Sequence, residues 1–380
     1  MKQYGFSEEQ EMMRDVARRI AKERVAPRAE EIDEKAEYPH DIWDLCKENG
    51  LLAIPFPPEY GGAGGDLVTF CLVTEELAKV DANASMIPLT QDLGSLPIVI
   101  AGSEEIKRKY LPKLANGELH VSFTATEPGA GSDLGAMLTR AELRGDHYVL
   151  NGTKHYISYA NVADIFTVFA KTDIHAGAKG ISIFVVERNS PGLSLGKKEK
   201  KMSIKGAPAY EVVFEDCPVP KENILGKEGS GMRTVMGILN ETRPLIGACA
   251  VGLAQGALDA AIRYAKERVQ FGQPIANFQG IQWMLADMAM EIEAARQLVY
   301  KAAASIDQKA SDVPMLSAMA KCYATDVAMK VTTDAVQILG GAGLMQDFPC
   351  ERMMRDAKQC QIVEGTNQIQ RVIIASQLLR

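Results

Sequence analysis

The chain has 380 residues, of which 47% are hydrophobic and 24% charged, a composition typical of a soluble globular protein with room for two or three packed units. Its net charge of -7 argues against a nucleic-acid surface. The seven cysteines are scattered without a CxxC pair, which favours a reducing cytoplasm and offers no metal site.

The first third of the chain is predicted to be helical. Ser7 and Gln10 are spaced as a capping box ahead of apolar residues at helical spacing. Further helices are predicted over 41–50, 66–80 and 104–115. The stretch 54–65, rich in Pro and Gly, predicts a loop.

From about His120 the apolar period changes to that of strands. The segment "LTRAELRGDHYVLNG" predicts a hairpin that turns at Arg144-Gly145-Asp146. Short runs of β-branched and aromatic residues continue to about residue 228. These features predict a compact β region.

The helical period then returns, with helices predicted over 230–271, 275–308, 312–339 and 364–379. The apolar stretch from Pro244 is interrupted by Gln255 and Asp259, so we interpret it as a buried helix and expect no membrane insertion.

The predicted fold class is therefore α+β. A helical N-terminal domain covers 1–120, a β-barrel-like or sandwich domain covers 121–228, and an antiparallel four-helix bundle covers 229–380.

Two segments of the β region could bind a ligand. In "TATEPGAGSDLG" (124–135) a hairpin follows the glycines, so a dinucleotide-binding Rossmann loop is unfavourable; the loop could hold a phosphate or be an ordinary turn. In "NGTKHYISYA" (151–160), Tyr156 and Ser158 would share a strand face and could contact one planar ligand, or simply belong to the core.

Three segments of the helical part have similar alternatives. Arg268 and Gln270 beside Phe271 could pair with a pyrophosphate or merely favour a helix C-terminus. The glycines of "QILGGAG" (337–343) could be a simple helix cap. Glu364 in "QIVEGTNQIQR" could be a helix-capping acid or a reactive carboxylate.

Taken together and in this order, "TEPGAGSD", "NGTKxxIS", "ERxQFGxPI", "QxLGGAG" and "IVEGTNQIQR" resemble the acyl-CoA dehydrogenase family over essentially the whole chain. The resemblance implies a three-domain fold and an acyl-CoA thioester as substrate. It also implies FAD lying between the domains and reaching a neighbouring subunit of a homotetramer (a dimer of dimers). An electron-transferring flavoprotein would take the electrons.

The resemblance also implies roles for individual residues. The FAD contacts would be Phe123, Ala125, Thr126, Gly131, Ser132, Tyr156, Ile157, Ser158, Arg268, Gln270, Phe271, Gln279, Gln337, Gly340, Gly341, Thr366 and Gln368. The acyl-CoA would be lined by Ser132, Asn240, Thr242, Arg243 and Gly365.

Oxidation of a saturated thioester removes a proton from Cα and a hydride from Cβ, so it needs a base near Cα. The family places this base either in the "EGT" motif or just before the Arg of an earlier helix. The second position is Thr242 here, and the acid Glu241 is one residue out of register. The resemblance therefore implies Glu364 as the base.

The resemblance places Asp92 in the helix that closes the acyl pocket, at a position where many family members have a neutral Ser or Asn. It could be a solvated or capping acid. If it faces the acyl pocket, a second carboxylate would suit an alicyclic thioester such as cyclohexane- or cyclohexene-carboxyl-CoA. The alternatives are a straight short-chain (butyryl-CoA-like) dehydrogenase, an acyl-CoA oxidase or reductase, and a flavin-free acyl-CoA-binding scaffold.

Overall fold

The computed structural model describes residues 5–379. Its N-terminal part is helical, as predicted, and the capping box of Ser7 and Gln10 is present at the start of the first helix. The helices are α1 Glu8–Ile20, α2 Ala29–Lys35, α3 His40–Glu48, α4 Leu67–Ala78, α5 Ala82–Ala101 and α6 Glu104–Ala115.

Helix α5 is missing from the helices that the apolar periodicity predicts for this part of the chain, although the family resemblance implies a helix around Asp92. It contains Pro88 and Pro97, which normally break a helix because proline lacks the N–H that the helix needs. Most of its residues are buried, and it packs against α4 and other neighbours. Tertiary packing therefore maintains a helix that local propensity disfavours.

The middle part is one mixed eight-stranded sheet. The hairpin forms as predicted, with Arg144 opposite His147 across the turn Gly145-Asp146. The strand order is β6-β7-β3-β2-β4-β5-β8, with β1 parallel to β4. The strands are β1 Val121–Thr124, β2 Arg140–Arg144, β3 His147–Ser158, β4 Ile165–Lys171, β5 Ile181–Glu187, β6 Leu193–Lys198, β7 Ala209–Pro220 and β8 Ile224–Leu225.

The C-terminal part is again helical, and its three longest helices pack on one another. The helices are α7 Gly231–Glu267, α8 Gln279–Asp307, α9 Val313–Leu339, α10 Pro349–Cys360 and α11 Asn367–Leu378. Helix α10 was not predicted, although Cys350, Met353, Ala357 and Cys360 are buried at helical spacing.

Helix α7 ends four residues earlier than predicted. A small hairpin follows it, formed by β9 Val269–Gln270 and β10 Gln273–Pro274. The turn residues Phe271 and Gly272 have positive φ values of 53° and 79°, which a helix cannot contain. The geometry of the turn therefore ends the helix.

Helices α5 and α7 are long and apolar enough to cross a membrane by length and composition alone. In each, 78% of the most apolar window is buried inside the protein. Helix α7 packs against α9, α8, α4, α10 and α5, and this core brings α5 and α7 beside the segment that precedes α11. These three elements carry the candidate site.

Candidate active site

Glu364 lies in the short connection between α10 and α11. Its φ of 54° and the φ of 91° at Gly365 make a left-handed turn, which any side chain at the glycine would strain. The side chain that caps α11 is that of Thr366, which accepts a hydrogen bond from the backbone N–H of Ile369. Glu364 therefore precedes the helix and is not its cap.

Two buried side chains hold this turn. Lys321 on α9 donates to the carbonyl oxygen of Gly365 at 2.9 Å and to Oδ1 of Asn367 at 3.0 Å. Gln370 on α11 donates to the same carbonyl oxygen at 2.8 Å. Burial lowers the pKa of Lys321 to about 8. The sequence analysis missed Lys321, whose only signal is a lysine on the apolar face of a helix.

The carboxylate of Glu364 has one oxygen held and one oxygen free. Thr242 donates its hydroxyl hydrogen to Oε2, and Oε1 is buried without a hydrogen-bond partner among the described residues. Burial raises the pKa of Glu364, while the Thr242 hydrogen bond and the charges of Arg243 and Lys321 oppose the rise. A carboxylate with a raised pKa and a free oxygen is a suitable proton acceptor.

Arg243 joins the turn to α7. Its side chain is only 1% exposed, with Nε 3.5 Å from the carbonyl oxygen of Glu364 and a terminal nitrogen 3.0 Å from Oδ1 of Asn240. Burial lowers its pKa, and the charge of Glu364 opposes this shift. The structure thus brings Asn240, Thr242, Arg243 and Gly365 together around Glu364.

Asp92 is buried in the middle of α5, with 6% of its surface exposed. The alternative of a solvated or capping acid is therefore wrong, and Asp81 caps this helix instead. Burial raises the pKa of Asp92 well above its usual value, and the negative charges of Glu241 and Glu364 add to the rise. The pKa of Asp92 thus responds to one acid on α7 and one in the turn, of which Glu241 had no role predicted from the sequence.

The glycine-rich loop is fixed by a buried ion pair. Nζ of Lys154 lies 2.8 Å from Oε1 of Glu127 and 3.0 Å from the carbonyl oxygen of Ala125. Glu127 also accepts hydrogen bonds from the backbone N–H groups of Leu138 and Thr139. The ion pair therefore joins both ends of the loop. The loop is followed by strand β2 and not by an α-helix, as expected for a loop that is not of the Rossmann type.

Tyr156 and Ser158 do not share a strand face, because side chains do not alternate regularly between the two faces of β3 at this point. A register shift between Lys154 and Ile157 marks a β-bulge, and Tyr156 has a positive φ of 59°. Its ring is 60% exposed and stacks on His155, while Ile157 is buried. The bulge turns the Tyr156 ring outward.

The remaining predicted cofactor residues range from buried to exposed. Phe123 is partly buried, with its ring 4.9 Å from that of Phe169, and Ala125 is buried. Thr126 and Ser158 are partly buried. The exposed members are Gly131, Ser132, Arg268, Gln270, Phe271, Gln279, Gln337, Gly340, Gly341 and Gln368.

The chain has open positions that fit the phosphate groups of a cofactor. Positions beside Gly129, Gly131, Gly340 and Gly341 are open, with no atom within 4 Å of where a Cβ would stand. Arg268 is exposed and makes no ion pair with the described residues. These features allow close approach to the backbone and offer a cation without an ion-pair partner among the described residues, which suit phosphate oxygens.

The fold and the site define a class of helix–sheet–helix enzyme with a buried carboxylate at the start of its last helix. Three family models match the chain: the N-terminal domain of acyl-CoA dehydrogenase at residues 7–118, its middle domain at 122–217 and its C-terminal domain at 229–379.

Similar proteins agree with these matches. The chain is 50% identical over 377 residues to the probable acyl-CoA dehydrogenase FadE25 of Mycobacterium tuberculosis, covering 99% of this chain and 97% of that one. It is 50% identical over 375 residues to the cyclohex-1-ene-1-carbonyl-CoA dehydrogenase of Syntrophus aciditrophicus, covering 98% and 91%. The solved butyryl-CoA dehydrogenase of Megasphaera elsdenii superposes with a TM-score of 0.96 at 42% identity and 99% coverage of both chains.

The chain belongs to the acyl-CoA dehydrogenase family. It is an oxidoreductase of the flavoprotein type, and FAD is its cofactor. The fold expected from the sequence is thereby confirmed.

Proposed function

We propose that this enzyme introduces a double bond into an acyl-CoA thioester, with Glu364 removing the proton from Cα. The observation that carries the proposal is the Glu364 carboxylate, whose buried Oε1 has no hydrogen-bond partner in the part of the chain that the structure describes. Bound FAD supplies the acceptor for the hydride that leaves Cβ. A base of raised pKa is matched to the weak acidity of the thioester α-proton.

The neighbouring residues hold the base and stabilise the charge that develops on the thioester. Thr242 fixes one carboxylate oxygen, which aims the other at the substrate. The backbone N–H of Glu364 makes no hydrogen bond within the described residues, so it is available to donate to the thioester oxygen. Asn240, Arg243, Gly365 and Ser132 are proposed to line the acyl-CoA.

The FAD contacts implied by the resemblance are proposed for this chain as well. Tyr156, Ile157 and Ser158 with the loop from Phe123 to Ser132 would hold the flavin, and Thr366 and Gln368 would add contacts. Arg268, Gln270, Phe271, Gln279 and the segment from Gln337 to Gly341 would hold the pyrophosphate and adenosine of a neighbouring subunit's FAD. We therefore propose that the chain forms a homotetramer. We also propose that its three domains cover residues 1–120, 121–228 and 229–380.

The base is tested with Glu364→Gln, which keeps the side-chain shape and removes the basic oxygen. The variant should remain yellow, yet its flavin absorbance should bleach about 100-fold more slowly or worse on anaerobic addition of substrate. Glu241→Gln is the matched control on the neighbouring carboxylate and should retain most of the rate. Wild-type bleaching by Glu364→Gln would contradict the proposal, and a colourless wild-type protein would favour a flavin-free scaffold.

For the substrate class we propose an alicyclic acyl-CoA of the cyclohexene-carboxyl type. Asp92 supports this choice because a buried second carboxylate with no hydrogen-bond partner among residues 5–379 is costly beside an ordinary fatty chain. The 50% identity to a cyclohexene-carbonyl-CoA dehydrogenase points the same way. A straight short chain remains the second candidate, since the butyryl-CoA dehydrogenase is 42% identical.

Bleaching across straight, branched and cyclic thioesters would identify the substrate. Asp92→Asn should lose about 100-fold or more on the cyclic thioester. The same variant should keep most of its rate on butyryl-CoA, which needs only one base. Full activity of Asp92→Asn on every thioester accepted by the wild type would contradict the role of Asp92.

We further propose that an electron-transferring flavoprotein accepts the electrons from the enzyme, and that the enzyme is located in the cytoplasm.

A further inference from the structure

A second cluster of ionisable side chains lies outside the candidate active site, on the middle sheet. His155 of β3, Glu199 just after β6 and Glu211 of β7 each offer one ligand atom, and these atoms lie within 4.8 Å of one another. Nε2 of His155 is 2.9 Å from Oε1 of Glu199 and 3.8 Å from Oε1 of Glu211. All three side chains are partly buried, so they are held in place and still reachable from solvent.

The two carboxylates are oriented by the same neighbour. Oε2 of Glu199 accepts from Nζ of Lys197 at 3.1 Å, and Oε2 of Glu211 accepts from the backbone N–H of Lys197 at 3.2 Å. Each carboxylate therefore uses one oxygen for Lys197 and presents the other to His155. Such outer hydrogen bonds are what orient the ligands of protein metal sites.

The surrounding backbone makes room for this arrangement. A Cβ at Gly196 would stand 2.7 Å from Oε2 of Glu211, so a larger residue would displace that carboxylate. His155 is held on its other side by the Tyr156 ring, with centroids 4.0 Å apart and planes inclined by 12°. Its backbone N–H is also bound, to the carbonyl oxygen of Thr126 at 2.8 Å.

We propose that His155, Glu199 and Glu211 bind a divalent transition-metal ion, with Zn²⁺ as the best match. One imidazole nitrogen and two carboxylate oxygens are ligands that Zn²⁺ accepts, with water at the fourth position. Tetrahedral zinc ligands stand about 3.3 Å apart, so only small side-chain rotations separate the observed cluster from a coordinating one. Bound metal would also fix the His155 ring, and with it the stacked Tyr156.

The test is a titration of the FAD-loaded enzyme with Zn²⁺ in competition with a chromophoric chelator. The wild type should bind one Zn²⁺ per chain at this site. His155→Gln and Glu211→Gln should each weaken it at least about tenfold. All seven cysteines are buried and should not compete.

The matched control is His147→Gln. His147 lies on the same strand and meets a single carboxylate, with Nδ1 3.0 Å from Oδ1 of Asp146, so its replacement should leave Zn²⁺ affinity unchanged. Glu199→Gln serves as a third variant if either of the others fails to fold. Equal affinity in wild type and His155→Gln, or no stoichiometric Zn²⁺ at all, would overturn the site and leave only a histidine–carboxylate ion pair.

Discussion

At the scale of single residues, the candidate site depends on how buried charges are compensated. Glu364 is offset by Thr242, Arg243 and Lys321, which oppose the effect of burial on its pKa. Asp92 has no such compensation from the described residues, because the charges that act on it are those of the acids Glu241 and Glu364. The pKa of Asp92 is therefore raised with no opposing cause in the described part of the chain, whereas that of Glu364 is raised against three opposing causes.

This difference predicts a pH-dependent stability effect of Asp92→Asn. The pKa of Asp92 is higher in the folded protein than in the unfolded chain, where it is about 3.9. Below pH ~3.9 the acid is protonated in both states, and its titration does not change the free energy of unfolding. Above that pH ionisation favours the unfolded state, so the wild type loses stability as the pH rises. Asp92→Asn should therefore be more stable than the wild type at pH ~8, by about 1–3 kcal/mol, with the gap shrinking at pH ~4.5. Thermal unfolding at both pH values measures it.

Asp347→Asn is the control for this experiment, because Asp347 is an exposed aspartate whose replacement should leave the free energy of unfolding nearly unchanged. A stability loss of Asp92→Asn at high pH would mean that the carboxylate is stabilised by a partner, contrary to the contacts described above.

At the scale of elements, the site depends on how closely α4 and α5 approach α7. Gly252 and Gly256 on α7 face the end of α4, where a Cβ would stand 2.4 Å from the carbonyl oxygen of Glu75 and 2.1 Å from that of Lys79. The two helices can touch through their backbones only because these positions lack side chains. Helix α7 carries Thr242 and Arg243, so this contact also sets the position of the base's neighbours.

Gly252→Ala is therefore expected to push α4 and α7 apart. The added methyl group would overpack the contact and reduce the free energy of unfolding by about 1–3 kcal/mol. Gly237→Ala is the matched control on the same helix, because nothing lies within 4 Å of its Cβ position. That control should stabilise by up to about 1 kcal/mol. Thermal unfolding at one protein concentration compares the two, and a Gly252→Ala variant as stable as Gly237→Ala would show that the contact is loose.

At the scale of the whole molecule, several proposed FAD contacts are exposed in the single chain. Phe271 is 94% exposed at the tip of the hairpin after α7, near Arg268, which makes no ion pair with any described residue. A fully exposed aromatic ring on a structured turn is costly unless another surface covers it. We interpret this end of the molecule as the part that meets a second copy of the chain.

Phe271→Ser should therefore weaken assembly and FAD retention together. The expected result is a smaller particle in sedimentation velocity and a lower ratio of flavin to protein absorbance. Ile174→Ser is the control, because Ile174 is 59% exposed in the middle domain, away from that hairpin in the chain. Normal assembly and full flavin content in Phe271→Ser would contradict the proposed interface.

The sequence by itself determined the family, the helix–sheet–helix order and the choice of Glu364 over Thr242 as the proposed base. Those conclusions depend on short motifs and on local periodicity, which are present in the linear chain. Local periodicity did not yield α5, whose prolines oppose helix formation locally, or the bulge that turns Tyr156 outward.

Only the tertiary structure decided which charges meet. Asp92, Glu241 and Glu364 come from three distant segments, and Lys321 reaches the Glu364 turn from a fourth. Their burial and mutual distance are fixed by how α5, α7, α9 and the last turn pack, and no local pattern encodes that packing. The same is true of His155, Glu199 and Glu211, which are brought together by the pairing of β3 and β7 with the segment after β6.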